Sequence, residues 1–252
     1  MDLNQASAVV TGAGSGLGAA TADALAAAGA RVVALDVNAE GLAALAGRCG
    51  AVPVVGDVAS AEDVAGAVAT AASLAPLRLA VNCAGIAPAA RVVGRGGAHD
   101  LALFERALRV NLLGTFNVLR LAAQRMQAEE ATAPDGERGV IVNTASIAAE
   151  DGQVGQCAYA ASKAGVVGLT LPAARELARS GIRVVTIAPG LFETPMLAGL
   201  PAAAQAAIRA LPPFPARLGL PEEFARMVLA VCANPLLNGT TIRLDSALRL
   251  PP

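Results

Sequence analysis

Short β-branched apolar runs alternate with longer amphipathic or Ala-rich segments along the whole chain, and that alternation predicts strands and helices in turn. Strands are expected at 6–10, 31–35, 52–55, 77–81, 139–143, 182–187 and 240–244, each bounded by turn residues. Helices are expected at 19–28, 39–48, 61–74, 101–129, a segment carrying Tyr159 to about 179, and 221–232. Gly29 follows the first helix as its C-terminal cap. Strands buried on both faces read as continuous apolar runs, so the pattern predicts an α/β fold with a Rossmann-type, doubly wound, parallel seven-stranded sheet. No internal repeat and no linker interrupts it. One domain over 1–252 is expected, with a nucleotide-binding N-terminal half and a catalytic C-terminal half.

Three segments break the rhythm. Residues 86–98 form a Gly- and Ala-rich loop without clear periodicity. Residues 131–138 are a polar turn. The stretch from about 190 to 220 is a Pro- and Ala-rich excursion with a short helix expected near 201–211. Such an excursion, leaving the C-terminal end of a strand, belongs where ligands bind in open α/β sheets. Pro172 sits inside the Tyr159 helix and should crowd the carbonyl of Gly168, producing a kink. Small residues on more than one face of that helix (Ala160, Ala161, Ala164, Gly165, Gly168) suit close packing on both sides, one of them against a second subunit.

The first strand runs into Thr11, Gly12, Ala13, Gly14, Ser15, Gly16, Leu17 and Gly18, then a helix, then a strand closed by Asp36. Strand, glycine turn, helix, strand and acidic residue in that order make a dinucleotide-binding unit. The glycines let the backbone approach a pyrophosphate, which lies on the helix N-terminus. Asp36 accepts from the adenosine ribose hydroxyls, and its charge repels a 2′-phosphate. No Lys or Arg in the glycine turn offsets that charge, so NAD is favoured over NADP.

Candidate chemistry sits further on. Tyr159 and Lys163 are four apart and share a helix face. Ser146 lies just beyond the apolar run at 139–143, where a hydroxyl at a strand end faces a phenol in the next helix. A phenol titrates near ~10, and a neighbouring ammonium is expected to pull that value toward the working range. Asn111 stands inside an expected helix, where Asn is a poor choice; its amide either faces solvent or faces the Tyr159–Lys163 pair. His99, the single histidine, has no local partner and is expected to serve as a cap or surface residue.

Composition narrows the field without changing the picture. Hydrophobic residues make up 55% of the chain and aromatics only 2%, which suits aliphatic strands under Ala-rich helices. A net charge of −1, from 19 basic and 20 acidic residues, implies no general attraction to nucleic acid or membrane. The four cysteines show no metal-ligand spacing, and no metal site is expected. No apolar run reaches the ~18 residues of a membrane span. The chain enters its first strand within a few residues of Met1, so a cytoplasmic location without a signal peptide is expected.

Taken jointly, Thr11-Gly12-x3-Gly16-x-Gly18, Asp57, Asn82-Cys83-Ala84-Gly85, Asn111, Ser146, Tyr159-x3-Lys163 and Pro189-Gly190 resemble the short-chain dehydrogenase/reductases over essentially the whole length. More narrowly, VNCAGIA (81–87), VNLLGTFNVLRLAA (110–123), DGQVGQCAYAASKAG (151–165) and GIRVVTIAPGLFETPM (181–196) resemble the type II 3-hydroxyacyl-CoA dehydrogenases, also called the 17-beta-hydroxysteroid dehydrogenase type 10 group. That resemblance implies a homotetramer using NAD to convert an (S)-3-hydroxyacyl-CoA to a 3-oxoacyl-CoA, with Ser146, Tyr159 and Lys163 catalytic and Asn111 in support. It implies cofactor contacts from Gly12, Ser15, Gly16, Leu17, Gly18, Asp36, Asp57, Val58, Asn82, Cys83, Ala84, Gly85, Tyr159, Lys163, Pro189, Gly190, Phe192 and Thr194, and substrate contacts from Ser146, Gln153 and Tyr159. A steroid alcohol and a carrier-protein-bound 3-oxoacyl chain are the neighbouring substrates. Carrier-protein reductases usually prefer NADPH, against which Asp36 argues. A non-catalytic NAD-binding scaffold is the alternative of another class. The loop at 86–99 and the turn at 131–138 keep little of the family's pattern.

Overall fold

The computed structural model describes residues 1–132, 134–195 and 208–251. Seven strands, β1 (Ser7–Thr11), β2 (Arg31–Asp36), β3 (Val52–Val55), β4 (Leu77–Asn82), β7 (Gly139–Thr144), β8 (Ile182–Pro189) and β9 (Thr241–Leu244), form one parallel sheet in the order β3-β2-β1-β4-β7-β8-β9. β7 and β8 are buried at every position, whereas edge strand β3 alternates half-buried with exposed residues. Successive strands are added on one side of β1 up to β3 and on the other from β4 onward, so the switch point at which open α/β sheets bind ligands lies between β1 and β4.

Alternate residues of each strand face opposite sides, and two cores result. Ala8, Val10, Val81 and Val142 meet Leu25 of α1 (Gly16–Ala27), Leu42 of α2 (Ala39–Cys49) and Phe224 of α7 (Pro221–Ala233). Val9, Leu35, Ala80 and Ile141 meet Val64 of α3 (Ala61–Leu74), Val118 of α5 (Thr115–Gln127) and Leu177 of α6 (Cys157–Leu177). The single-domain, doubly wound sheet expected from the periodicity is the fold observed.

Two elements depart from expectation. The single helix expected over 101–129 is α4 (Leu101–Leu108) and α5 separated by a π-helical turn at Arg109–Gly114. The wider turn holds Asn111 fully buried rather than facing solvent. The loop at 86–98 contains a small antiparallel hairpin, β5 (Val93–Gly94) with β6 (Gly97–Ala98), too short to leave a sequence period. Pro172 lies inside α6, which continues past it to Leu177, and nothing lies within 4 Å of where a Gly168 side chain would begin. Gly165 packs inward on Leu112, so one of the small-residue faces serves the interior. Most of the helix expected near 201–211 lies outside the described residues.

Candidate active site

The glycine turn is shaped by close approach. A Cβ on Gly12, whose φ is +63°, would sit 2.6 Å from the Ala84 nitrogen, and one on Gly18 would sit 2.2 Å from the Gly12 carbonyl oxygen. Thr11 Oγ1 accepts from the nitrogens of Cys83 and Ala84, both at 3.2 Å, and so draws the loop after β4 against the turn after β1. Helices α2, α3 and α4 each begin on a capping side chain, from Asn38, Ser60 and Asp100. α1 has no side-chain cap on Ser15 and no acid in its first turn. Its first amides therefore remain available to an anion.

Asp36 ends β2 beside this turn. Its Oδ2 accepts from the Gly14 nitrogen and its Oδ1 from the Asn38 nitrogen, both at 2.8 Å. Thr194 stands over the same turn, its Cγ2 3.4 Å from where a Gly16 side chain would begin. Asp57 Oδ1 caps Ala59, and buried Val58 packs on Gly114. The Phe192 ring lies edge-to-face against Phe224, in the core. These features fit a dinucleotide laid across the switch point, with Gly12–Gly18 under the pyrophosphate and Asp36 at the ribose.

The catalytic candidates converge on the C-terminal edge of the sheet. Ser146 follows β7 and caps a short 3-10 turn at Ile147–Ala149. Tyr159 occupies the first turn of α6, with its phenol beside the Ser146 hydroxyl. Lys163, one turn on and 4% exposed, has its Nζ 5.9 Å from the Tyr159 ring centre and donates to the Thr144 carbonyl at 2.8 Å. Asn111 does not reach Tyr159 directly. Its Nδ2 donates to the Ile86 carbonyl at 2.8 Å and to Ser162 Oγ at 2.9 Å, and Ser162 in turn donates to the Tyr159 carbonyl at 2.7 Å. Asn111 Oδ1 and Lys163 Nζ approach the same point, 3.2 and 3.5 Å from where a Gly85 side chain would begin.

Protonation differs from the sequence-based expectation. Burial raises the Tyr159 phenol above its ordinary value, and the neighbouring Ser146 hydroxyl only opposes that rise. Burial also pulls the Lys163 ammonium down to about 8. Four-residue spacing predicts proximity, but it does not reveal that the protein alone removes both groups from water. Burial pushes the nearby Cys83 thiol up to about 11, so it stays protonated and inert at neutral pH.

Sequence reasoning named Thr11 in the glycine motif without giving it a role and did not single out Thr144 and Ser162; the three hold the site together through two hydrogen bonds each. Their only signal is position, each standing beside a motif residue. Gln153 lies at a 360 Å³ cleft lined also by Arg91, Val92, Val154 and Cys157, two residues before Tyr159. His99 is half-buried against Phe104, with Nδ1 at 2.7 Å from the Asp100 carbonyl and no catalytic neighbour among these residues. No group of acids, cysteines or histidine among the described residues is placed to hold a metal. No helix among them is long and apolar enough to cross a membrane.

Comparison with known proteins agrees with this geometry. Residues 6–205 match the short chain dehydrogenase family. The 3-hydroxyacyl-CoA dehydrogenase type-2 of Homo sapiens is 52% identical, over 97% of this chain and 95% of that protein. The protein of the same name from Drosophila melanogaster is 51% identical, over 99% of this chain and all of that one. Among solved structures, 3-hydroxyacyl-CoA dehydrogenase type-2 from Mycobacterium avium superposes with a TM-score of 0.94 at 45% identity, covering 98% of this chain and 97% of that one.

Proposed function

The chain belongs to the short chain dehydrogenase family and is an oxidoreductase of that family, and from that premise we propose that it oxidises an (S)-3-hydroxyacyl-CoA to the 3-oxoacyl-CoA with NAD. The observation that carries the chemistry is the Tyr159 phenol set beside the Ser146 hydroxyl, with the buried Lys163 ammonium behind it, next to a glycine turn that fits a dinucleotide. The substrate class is supported by the human, fruit fly and mycobacterial relatives, each a 3-hydroxyacyl-CoA dehydrogenase type-2.

When bound, the oxidised nicotinamide supplies the carbon that accepts hydride. Ser146 Oγ holds the substrate oxygen. Tyr159 Oη takes the hydroxyl proton as the substrate carbon that bears the hydroxyl gives up its hydride. Lys163 favours the phenolate and is itself aimed by the Thr144 carbonyl. The Asn111–Ser162 chain fixes the backbone of Tyr159 against the π-helical turn. Incubating the protein with NAD and a panel of 3-hydroxyacyl-CoAs and hydroxysteroids tests the substrate class through the absorbance of the reduced cofactor. Turnover of the CoA thioesters is expected; turnover of steroids alone would contradict it.

Asp36 supports NAD as the cofactor. Its carboxylate sits at the glycine turn with both oxygens fixed by backbone amides. Asp36→Ala is expected to shift the NAD-to-NADP preference toward NADP by about tenfold, the weight of a charge-assisted hydrogen bond. An unchanged ratio of kcat/KM for the two cofactors would make Asp36 a turn residue only.

The resemblance also supports a homotetramer. Exposed Leu113 and Phe116 line an apolar groove with Leu108, Leu112 and Leu169 on the outer face of the π-helical turn, α5 and α6, a surface suited to a second copy. Size-exclusion chromatography at micromolar concentration is expected to give a mass well above that of one chain. A monomer alone would remove the assembly.

A further inference from the structure

One guanidinium outside the catalytic set joins three separate pieces of chain on the substrate side. Arg243 lies on edge strand β9, its side chain 18% exposed. It donates to Asp151 Oδ2 at 2.7 Å, to Asp245 Oδ2 at 2.8 Å, to the Leu248 carbonyl at 3.1 Å and to Glu150. Glu150 and Asp151 directly follow the 3-10 turn that Ser146 caps. Asp245 rests on the turn after β8, where a Gly190 side chain would begin 2.8 Å from the Asp245 Cα. The chain then returns toward the cleft, where Gln153 Nε2 donates to the Pro251 carbonyl at 3.2 Å.

This is not an ordinary surface ion pair. The side chains of Asp151 and Asp245 are 13% and 9% exposed and face the same fork. The Arg243 hydrogen bond holds the Asp151 carboxyl below the usual carboxylate range. A planar fork with fixed donors selects one arrangement of these partners, which a flexible ammonium does not. Removing it leaves the largely buried Asp151 carboxylate without its cation and Asp245 with Arg249 alone, at 3.1 Å, so that nothing ties the two segments together.

We propose that Arg243 is a positioning residue for substrate binding: its fork locks loop 150–156, and Gln153 with it, onto the C-terminal segment 245–251. The assignment rests on the reading of the Gln153 cleft as the substrate side. Arg243 touches neither the reacting atoms nor the glycine turn, so its removal acts on substrate affinity and leaves cofactor binding intact.

The test compares Arg243→Gln, Arg243→Lys and Asp151→Asn with the wild type. Arg243→Gln is expected to raise KM for 3-hydroxybutyryl-CoA about tenfold or more, with the NAD dissociation constant and the saturated kcat little changed. Arg243→Lys is expected to recover only part of the loss. Amide hydrogen exchange is expected to rise in 150–156 and 246–251 while β1 and α1 stay protected. Unchanged KM and exchange would overturn the proposal, as would exchange rising throughout β7 and β8 with NAD affinity and kcat falling together. If Arg243→Gln does not accumulate as folded protein, Asp151→Asn carries the same test with the same direction of effect. Failure of the wild type on every 3-hydroxyacyl-CoA would sink the substrate reading alone, and the exchange measurements would still decide whether Arg243 positions the loop.

Discussion

Tyr159→Phe is expected to lower kcat by about 10²-fold or more while the protein still binds NAD as tightly as before. Placed general acid–base catalysis is worth roughly 10²–10⁴-fold, and the substitution removes only the proton acceptor. The ring stays, so the packing of the first turn of α6 is preserved. Ser146 keeps its place because its Oγ also accepts from the Ala148 nitrogen at 3.1 Å. Asn111 and Ser162 remain bonded through backbone and hydroxyl groups that the phenol does not touch. Steady-state kinetics together with calorimetric NAD binding check the expectation. Turnover at the wild-type rate would take Tyr159 out of the mechanism.

Lys163→Met is expected to reduce kcat by a comparable factor, about 10²-fold or more, because Lys163 is the side-chain cation the structure places against the phenol ring. It also carries a signature in stability. The buried ammonium titrates at about 8 in the folded protein against 10.5 when exposed. Between those values the unfolded chain binds more protons than the folded one, so the Lys163 contribution to stability grows as pH rises and is lost as pH falls through about 8. Urea unfolding of both proteins across that window is expected to show the wild type gaining stability relative to Lys163→Met with rising pH. A flat difference would mean that the ammonium is not removed from water.

Much of this arrangement is legible in the chain because each strand is a short β-branched run closed by a turn residue. The run 139–143 ends one residue from the observed end of β7, and the glycine turn announces α1 directly. Other features are hidden for physical reasons. A π-helical turn adds a residue without a proline, and so the pattern over 101–129 reads as one helix. Two of the three hydrogen bonds of the Asn111 amide are to the backbone of Ile86, and a backbone partner leaves no trace in the order of side chains. The hairpin at Val93–Ala98 has two-residue strands, below any detectable period. Arg243 and Asp151 are 92 positions apart, so nothing local announces their pairing. The protonation of Tyr159 was the least legible: a helical spacing gives distance, whereas burial gives the direction of the shift.

Tyr159 is the single tyrosine of a chain that contains no tryptophan, so the near-ultraviolet absorbance of phenolate reports on this one group. A titration of the protein with and without NAD tests the central claim. Alone, the phenol is expected to titrate above its ordinary value of about 10, and with oxidised NAD present it is expected to titrate markedly lower. An identical titration in both conditions, in a protein shown to bind NAD, would contradict the account.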